Sequence, residues 1–208
     1  MIKRLFPALL LVLLAPAAAR PAPGTELLNA LRQEASRTRT IACDFVQETH
    51  MALFDEVVSS EGKFFFKRPD MVRWEYTNPF SSGFVMQGEK GREWDEATGQ
   101  VRNFTASGSP QMAVVTKQIV AWTTFDIQWL ETQYDIQAEA HPAPHLRLTP
   151  RGKTVRSFIQ HLDFYFSKDR SVLKRIELHS PDGDFTRIRF SNHRINGDLT
   201  DTTFTVAQ

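Results

Sequence analysis

The stretch GKFFFKRPDMVRWEY, residues 62–76, limits the fold more than any other part of the chain. In an extended chain successive side chains point to opposite faces. Phe64, Phe66 and Arg68 then share one face, and Lys63, Phe65 and Lys67 the other. Pro69-Asp70 reads as a turn, after which Val72, Trp74 and Tyr76 oppose Arg73 and Glu75. The result is a strand pair with one aromatic face and one mostly charged face. Arg68 falls on the apolar face at the turn end. A guanidinium there needs acceptors, because an unpaired buried charge costs several kcal/mol. Backbone carbonyls of whatever covers the sheet could supply them. The alternative is a solvated turn residue whose head points outward.

The same period of two recurs along most of the chain. Ile41, Cys43 and Phe45 alternate in a first strand that continues through Gln47. Further strands are expected at 63–66, 71–76, 82–87, 92–95 and 100–105, with turns at Gly88–Gly91 and Ala97–Gly99. After an interruption they return at 132–138, 145–149, 157–166, 172–179 and 184–191, and end at 204–206. Asp182-Gly183 is a hairpin turn signal. Helical spacing appears in three places. Gly24–Arg37 carries Leu27, Leu28 and Leu31 on one face. Ser109-Pro110 opens a second helix, with Ser as N-cap, along which Met112, Val115, Ile119 and Trp122 follow. A shorter segment covers Phe125–Leu130. About ten or eleven strands exceed what a flat open sheet tolerates without curling. The expected class is therefore mainly β (α+β), a curled antiparallel sheet whose concave face needs cover.

Lys3 and Arg4 precede an apolar run, Leu5–Ala19, that ends in small residues. This is the pattern of a secretory signal peptide cleaved near Ala19. The run is shorter than the ~20 residues needed to cross a bilayer. The expected organisation is a cleaved signal at 1–19 and a single domain at 20–208, working as a monomer in the periplasm. A net charge of +1 gives no electrostatic pull toward nucleic acid. Cys43 is the only cysteine, so no internal disulfide can form. It lies far from the apolar run, which argues against a lipid attachment site and for a small buried side chain.

Sequence signals for catalysis are weak. The six histidines are scattered. His141 and His145 have a three-residue gap, but the intervening prolines exclude the helix on which that spacing aligns two ligands. Cys43 and His50, seven apart in an extended strand, would lie ~23 Å from each other. Asp182-Gly-Asp184 lacks the twelve-residue pattern of a calcium loop. There is no Gly-rich phosphate cradle and no Gly-x-Ser-x-Gly. No enzyme activity, cofactor or metal is expected. A β-rich hydrolase or isomerase is the distant alternative.

Phe45-x-Gln47, Gly62-x-Phe-x-Phe, Lys67-Arg68-Pro69, Arg73-Trp74-Glu75, Gly88 and Trp94, in that order, resemble the LolA family of periplasmic carriers of outer-membrane lipoproteins. The resemblance implies a half-open β-barrel with a lid of short helices over an apolar cavity for acyl chains. It implies no cofactor. It also implies partners: a lipidated cargo, an inner-membrane release machinery and an outer-membrane acceptor. Carried onto this chain, the cavity positions fall on Phe45, Phe64, Phe66, Val72, Trp74 and Tyr76, and the lid-contacting arginine on Arg68. Leu27, Leu28, Leu31, Met112, Val115 and Ile119 are the candidate lid face, or else permanent core. Ser82–Met86, Trp122 and Trp129 depart from the family pattern, and the chain stops at Gln208 where the best-known members continue. These departures suggest a divergent branch and bear on the cargo, for which a glycolipid or polyene lipid is the other candidate.

Overall fold

The computed structural model describes residues 23–53, 56–140 and 142–205. Helix α1 (Pro23–Arg37) leads into strands β1 (Thr40–Met51), β2 (Glu56–Lys67), β3 (Met71–Asn78), β4 (Ser82–Gln87), β5 (Lys90–Asp95) and β6 (Gln100–Thr105). Helices α2 (Pro110–Thr124) and α3 (Ile127–Gln133) follow. Then come β7 (Tyr134–Glu139), β8 (His145–Pro150), a helical turn α4 (Lys153–Arg156), β9 (His161–Phe166), β10 (Leu173–His179) and β11 (Phe185–Ile195). The eleven strands form one curled antiparallel sheet in the order β6-β5-β4-β3-β2-β1-β11-β10-β9-β8-β7. Its two edges, β6 and β7, are joined through α2 and α3, so these helices bridge the open mouth of the curl.

Alternation decides the two faces. Phe64 pairs with Trp74 and Phe66 with Val72 across β2 and β3. Leu146 and Leu148 of β8 pair with Phe164 and Leu162 of β9. All eight look to the concave side, where they join Leu27 and Leu31 of α1 and Leu130 of α3 in one core. Gly62 explains how the rings at the centre fit. Phe45 stands opposite it across β1 and β2. A Cβ at Gly62 would come within 2.3 Å of the Phe45 ring and 2.2 Å of the Glu75 carbonyl oxygen. The missing side chain is what lets Phe45 lie over β2, with its ring centroid 4.6 Å from that of Trp74 and 5.4 Å from that of Tyr76.

Several expected boundaries move, each for a local reason. The first two strands are longer than expected, with β1 running to Met51 and β2 starting at Glu56. Residues 157–160 do not belong to β9. Arg156 Nε donates to the Pro150 carbonyl at 2.5 Å and Ser157 Oγ to that of Thr154 at 2.7 Å, so this segment closes as a turn. The third helix starts at Ile127, because Phe125 takes a left-handed conformation (φ 51°) that ends α2. Asp126 then caps α3 by accepting from the Trp129 backbone N–H. Ser109 stands at the start of α2 but makes no side-chain capping bond. Of the expected last strand at 204–206, Phe204 instead ends a 3-10 turn, Asp201–Phe204, and residue 206 lies outside the described residues. Thr205 Oγ1 donates to the Thr202 carbonyl, a local bond that replaces a ladder. That segment crosses the convex side of β3 and β4. There Arg73 donates to the Thr203 and Thr205 carbonyls and Gln87 to that of Phe204, and the Phe204 ring is buried.

Candidate functional site

Between the helices and the concave face lies an apolar cavity. Phe64 and Trp74 form one wall, Phe166, Ile176 and Phe190 the other, and Leu31 of α1 with Ile119 and Trp122 of α2 the roof. The space the cavity offers to water-sized bodies is about 100 Å³, within a wider depression of about 780 Å³ that includes open solvent. Curling makes these walls face each other: β1 pairs with both β2 and β11, so Phe64 and Phe190 come from strands on either side of it.

Cys43 also lines the cavity. Burial, helped by the neighbouring Asp44 carboxylate, pushes its thiol up to about 12. His50 lies on the other face of β1, stacked on Phe185 at 4.1 Å, so the strand keeps this thiol and imidazole apart. The Trp122 indole N–H is buried without a hydrogen-bond partner among the described residues.

The cavity residues named from sequence divide into two groups. Phe64 and Trp74 line the space. Phe45, Phe66 and Val72 are at most 1% exposed and are packed into the core beside it. Tyr76 packs against that core, and its hydroxyl donates to Gln47 Oε1 at 2.9 Å. Among the roof residues, Leu31 and Ile119 reach the cavity. Leu27 is buried in the core and Leu28 packs against it. Met112 and Val115 lie outside the residues whose side chains are described. Sequence reasoning does not single out Trp122, Phe166, Ile176 and Phe190 as cavity residues. Trp122 shares the helical spacing of Ile119, and Phe190 the alternation of β11, but neither signal says which distant strands the curl brings together.

Arg68 occupies the rim where β2 ends. Its Nε donates to the Thr38 carbonyl at 2.7 Å and one terminal nitrogen to that of Ala35 at 2.9 Å. Ala35 belongs to the last turn of α1 and Thr38 follows that helix directly. Helix C-termini leave up to four carbonyls without intrahelical partners and carry the negative end of the macrodipole. A guanidinium is therefore satisfied there at the apolar edge of the sheet.

A family model described as "Outer membrane lipoprotein carrier protein LolA" matches residues 36–207. An outer-membrane lipoprotein carrier protein of Pseudoalteromonas translucida (strain TAC 125) is 23% identical over 180 residues, 85% of this chain and 80% of the relative. That of Xanthomonas campestris pv. campestris (strain B100) is 32% identical over 149 residues, 70% of this chain and 67% of the relative. Among solved structures, an uncharacterized conserved protein from Thermus thermophilus has a TM-score of 0.57 at 11% identity, over 88% of this chain and 93% of its own. The Pseudomonas aeruginosa MucA/MucB complex has a TM-score of 0.50 at 15% identity, over 89% of this chain and 62% of that one. At such identities the structural matches speak for the fold alone. The sequence match spans most of the residues that build the sheet and cavity, and the chain belongs to the LolA family of outer-membrane lipoprotein carrier proteins.

Proposed function

We propose that the protein is a periplasmic carrier that takes the acyl chains of a lipoprotein between its helices and its sheet. It would receive this cargo at the inner membrane and pass it to an acceptor at the outer membrane. The observation that carries the reading is the apolar cavity roofed by Leu31, Ile119 and Trp122, with its rim tied to α1 by Arg68. Support also comes from the relatives, which are named as carriers. Among the described residues no helix is long and apolar enough to cross a membrane.

Size and energy together favour a moving roof. A cavity of about 100 Å³ falls short of the roughly 300–1,000 Å³ of sites that enclose a drug-sized ligand. The helices would have to withdraw for an acyl chain to enter. Burying such a chain is worth ~0.8 kcal/mol per methylene, on the order of 10 kcal/mol gross for sixteen carbons. Release then requires a competitor, and the roof residues that fill the empty cavity provide one. Hydrogen bonds from a charged donor contribute about 1.5–3 kcal/mol each. The two from Arg68 would thus hold the empty roof down and still yield to lipid.

The experiment is lipid mass spectrometry on protein purified from the periplasm, followed by transfer from loaded protein to acceptor membranes. Lipoprotein acyl chains should co-purify, and Arg68→Leu should retain cargo longer than the wild type while remaining folded. Recovery of a free glycolipid or polyene lipid in their place would redirect the cargo assignment. Normal release and normal melting of Arg68→Leu would eliminate the latch.

A further inference from the structure

The convex side of the sheet, away from the cavity, gathers polar groups that the carrier reading leaves unused. His50, His145, His161 and His179 all lie on it. Strand pairing places His161, His179, Phe185 and His50 in one row across β9, β10, β11 and β1. Beside that row runs another, formed by Arg147, Asp163, Glu177, Arg187 and Glu48. Asp163 and Glu177 are buried, while the side chains of His161 and His179 keep 19% and 28% of their surface.

Where these rows meet, lone pairs are left over. Asp163 Oδ1 faces Arg147 Nε at 2.9 Å and His145 Nε2 at 2.8 Å. Its Oδ2 accepts from Arg147 at 2.9 Å, which leaves one lone pair. The neighbours of that oxygen are His161 Nε2 at 3.3 Å and His179 Nε2 at 3.7 Å. His179 Nε2 is also 3.6 Å from Glu177 Oε2, yet it is buried with no hydrogen-bond partner. These separations exceed the 2.7–3.2 Å of an ordinary N–H···O bond. They match the edge of a tetrahedron around an ion with bonds of 2.0–2.2 Å, about 3.4 Å. The nitrogen and oxygen donors of His161, Asp163 and His179 all lie within 4.8 Å of one another.

We propose that His161, His179 and Asp163 form a three-residue binding site for a zinc-type divalent ion, with water as the fourth ligand. Two imidazoles and one carboxylate are a donor set suited to zinc. Arg147, which binds both oxygens of Asp163, fixes the orientation of that carboxylate in the way outer-shell partners do and leaves Oδ2 one lone pair for the ion. The two imidazoles stack at 4.3 Å with 14° between planes, so the ion enters as one ring turns about its last torsion. That torsion is soft in histidine, and the exposure of both rings leaves room for it. The neighbouring guanidinium charge lowers the affinity of the site for a cation. A bound ion clasps β9 to β10 behind the wall that carries Phe166 and Ile176.

The test is calorimetric titration of zinc into tag-free protein, with thermal melting at each stoichiometry. One ion should bind per chain and raise Tm, as any ligand of the folded state does. His161→Gln and His179→Gln keep a polar side chain of similar reach at these partly exposed positions. Each should weaken binding by about tenfold or more, since even outer-shell losses cost 10–100-fold. Cobalt(II) in place of zinc should give the intense visible bands of a tetrahedral site, and these should disappear in both variants. Absence of stoichiometric zinc binding overturns the proposal, as does wild-type affinity in both variants.

Discussion

The two faces of this sheet are built from the same strands and hold themselves together in opposite ways. On β9 and β10 the concave residues Leu162, Phe164 and Ile176 are apolar and need no partner beyond close packing. Their neighbours on the convex side, Asp163, Tyr165, Arg175 and Glu177, are linked by ion pairs and by a guanidinium 3.8 Å from the Tyr165 ring centre. Dispersion and hydrophobic contacts are non-directional, so the concave side can open and reclose over another apolar body. Charge-assisted hydrogen bonds are directional, so the convex side acts as a rigid back. In the proposed carrier, a cavity that exchanges its contents would thereby be mounted on a wall that does not have to move.

A substitution that damages the concave side should harm stability and ligand uptake together. Gly62→Val has the largest expected effect. The new side chain would meet the Phe45 ring and the Glu75 carbonyl well inside contact distance. Because the carbonyl is backbone, it cannot step aside as a flexible side chain would. We expect a loss of roughly 3 kcal/mol, the upper end of overpacking costs, visible as a lower urea midpoint. Uptake of a fluorescent fatty acid should fall with it. Normal stability in this variant would show that the central rings are looser than their packing implies.

A convex substitution should separate the two properties. Burial alone would raise the Asp163 carboxyl, but hydrogen bonds from Arg147 and His145 outweigh it and hold the group below the usual carboxylate range. Asp163→Ala removes those bonds. It leaves Arg147, 44% exposed, free to find water. The expected cost is roughly 1–3 kcal/mol, with fatty-acid affinity unchanged within about twofold. The depressed carboxyl also sets a pH dependence. Its contribution is complete above the unfolded value near 3.9 and disappears as pH falls through the lower folded one. Acid melting curves of wild type and Asp163→Ala should therefore converge. If ligand affinity collapses with stability, the back and the cavity are one mechanical unit.

Alternation makes much of this division legible in sequence. Residues 62–76 alone assign Phe64, Phe66, Val72 and Trp74 to one face, and they share it. A guanidinium at an apolar rim demands carbonyl acceptors, and Arg68 has them on Ala35 and Thr38. Long-range register is not legible. Phe45 pairs with Phe190 across some 145 residues of chain, and no local signal announces it. The same gap hides the convex cluster. His161 and His179 are separated along the chain but directly paired across β9 and β10, so a search for closely spaced ligands passes them by. At the hydroxyl-rich ends, 153–157 and 200–205, alternation misleads because Ser and Thr bond their own backbone there.

The smallest effect at neutral pH belongs to Cys43, and it reports on the roof directly. Its side chain is buried in the cavity wall, and its thiol is pushed up to about 12, mainly by that burial. Only the thiolate reacts, so a maleimide at pH 8 should leave the folded protein almost unmodified and label the unfolded chain readily. Arg68→Leu should accelerate labelling if release of α1 admits solvent to the cavity, and Asp163→Ala should not. The thiol also predicts an alkaline effect. Its folded value lies above its unfolded one, so its contribution is complete below about pH 9 and is lost as pH rises toward 12. In that window the unfolded chain loses a proton that the native one keeps. Stability then falls by about 1.4 kcal/mol per pH unit. Cys43→Ala lacks this term and should lose stability less steeply from pH 9 to 11 in urea titrations at each pH. Parallel pH curves for the two proteins, or rapid labelling of the wild type at pH 8, would mean that the thiol already sees water and the roof does not seal.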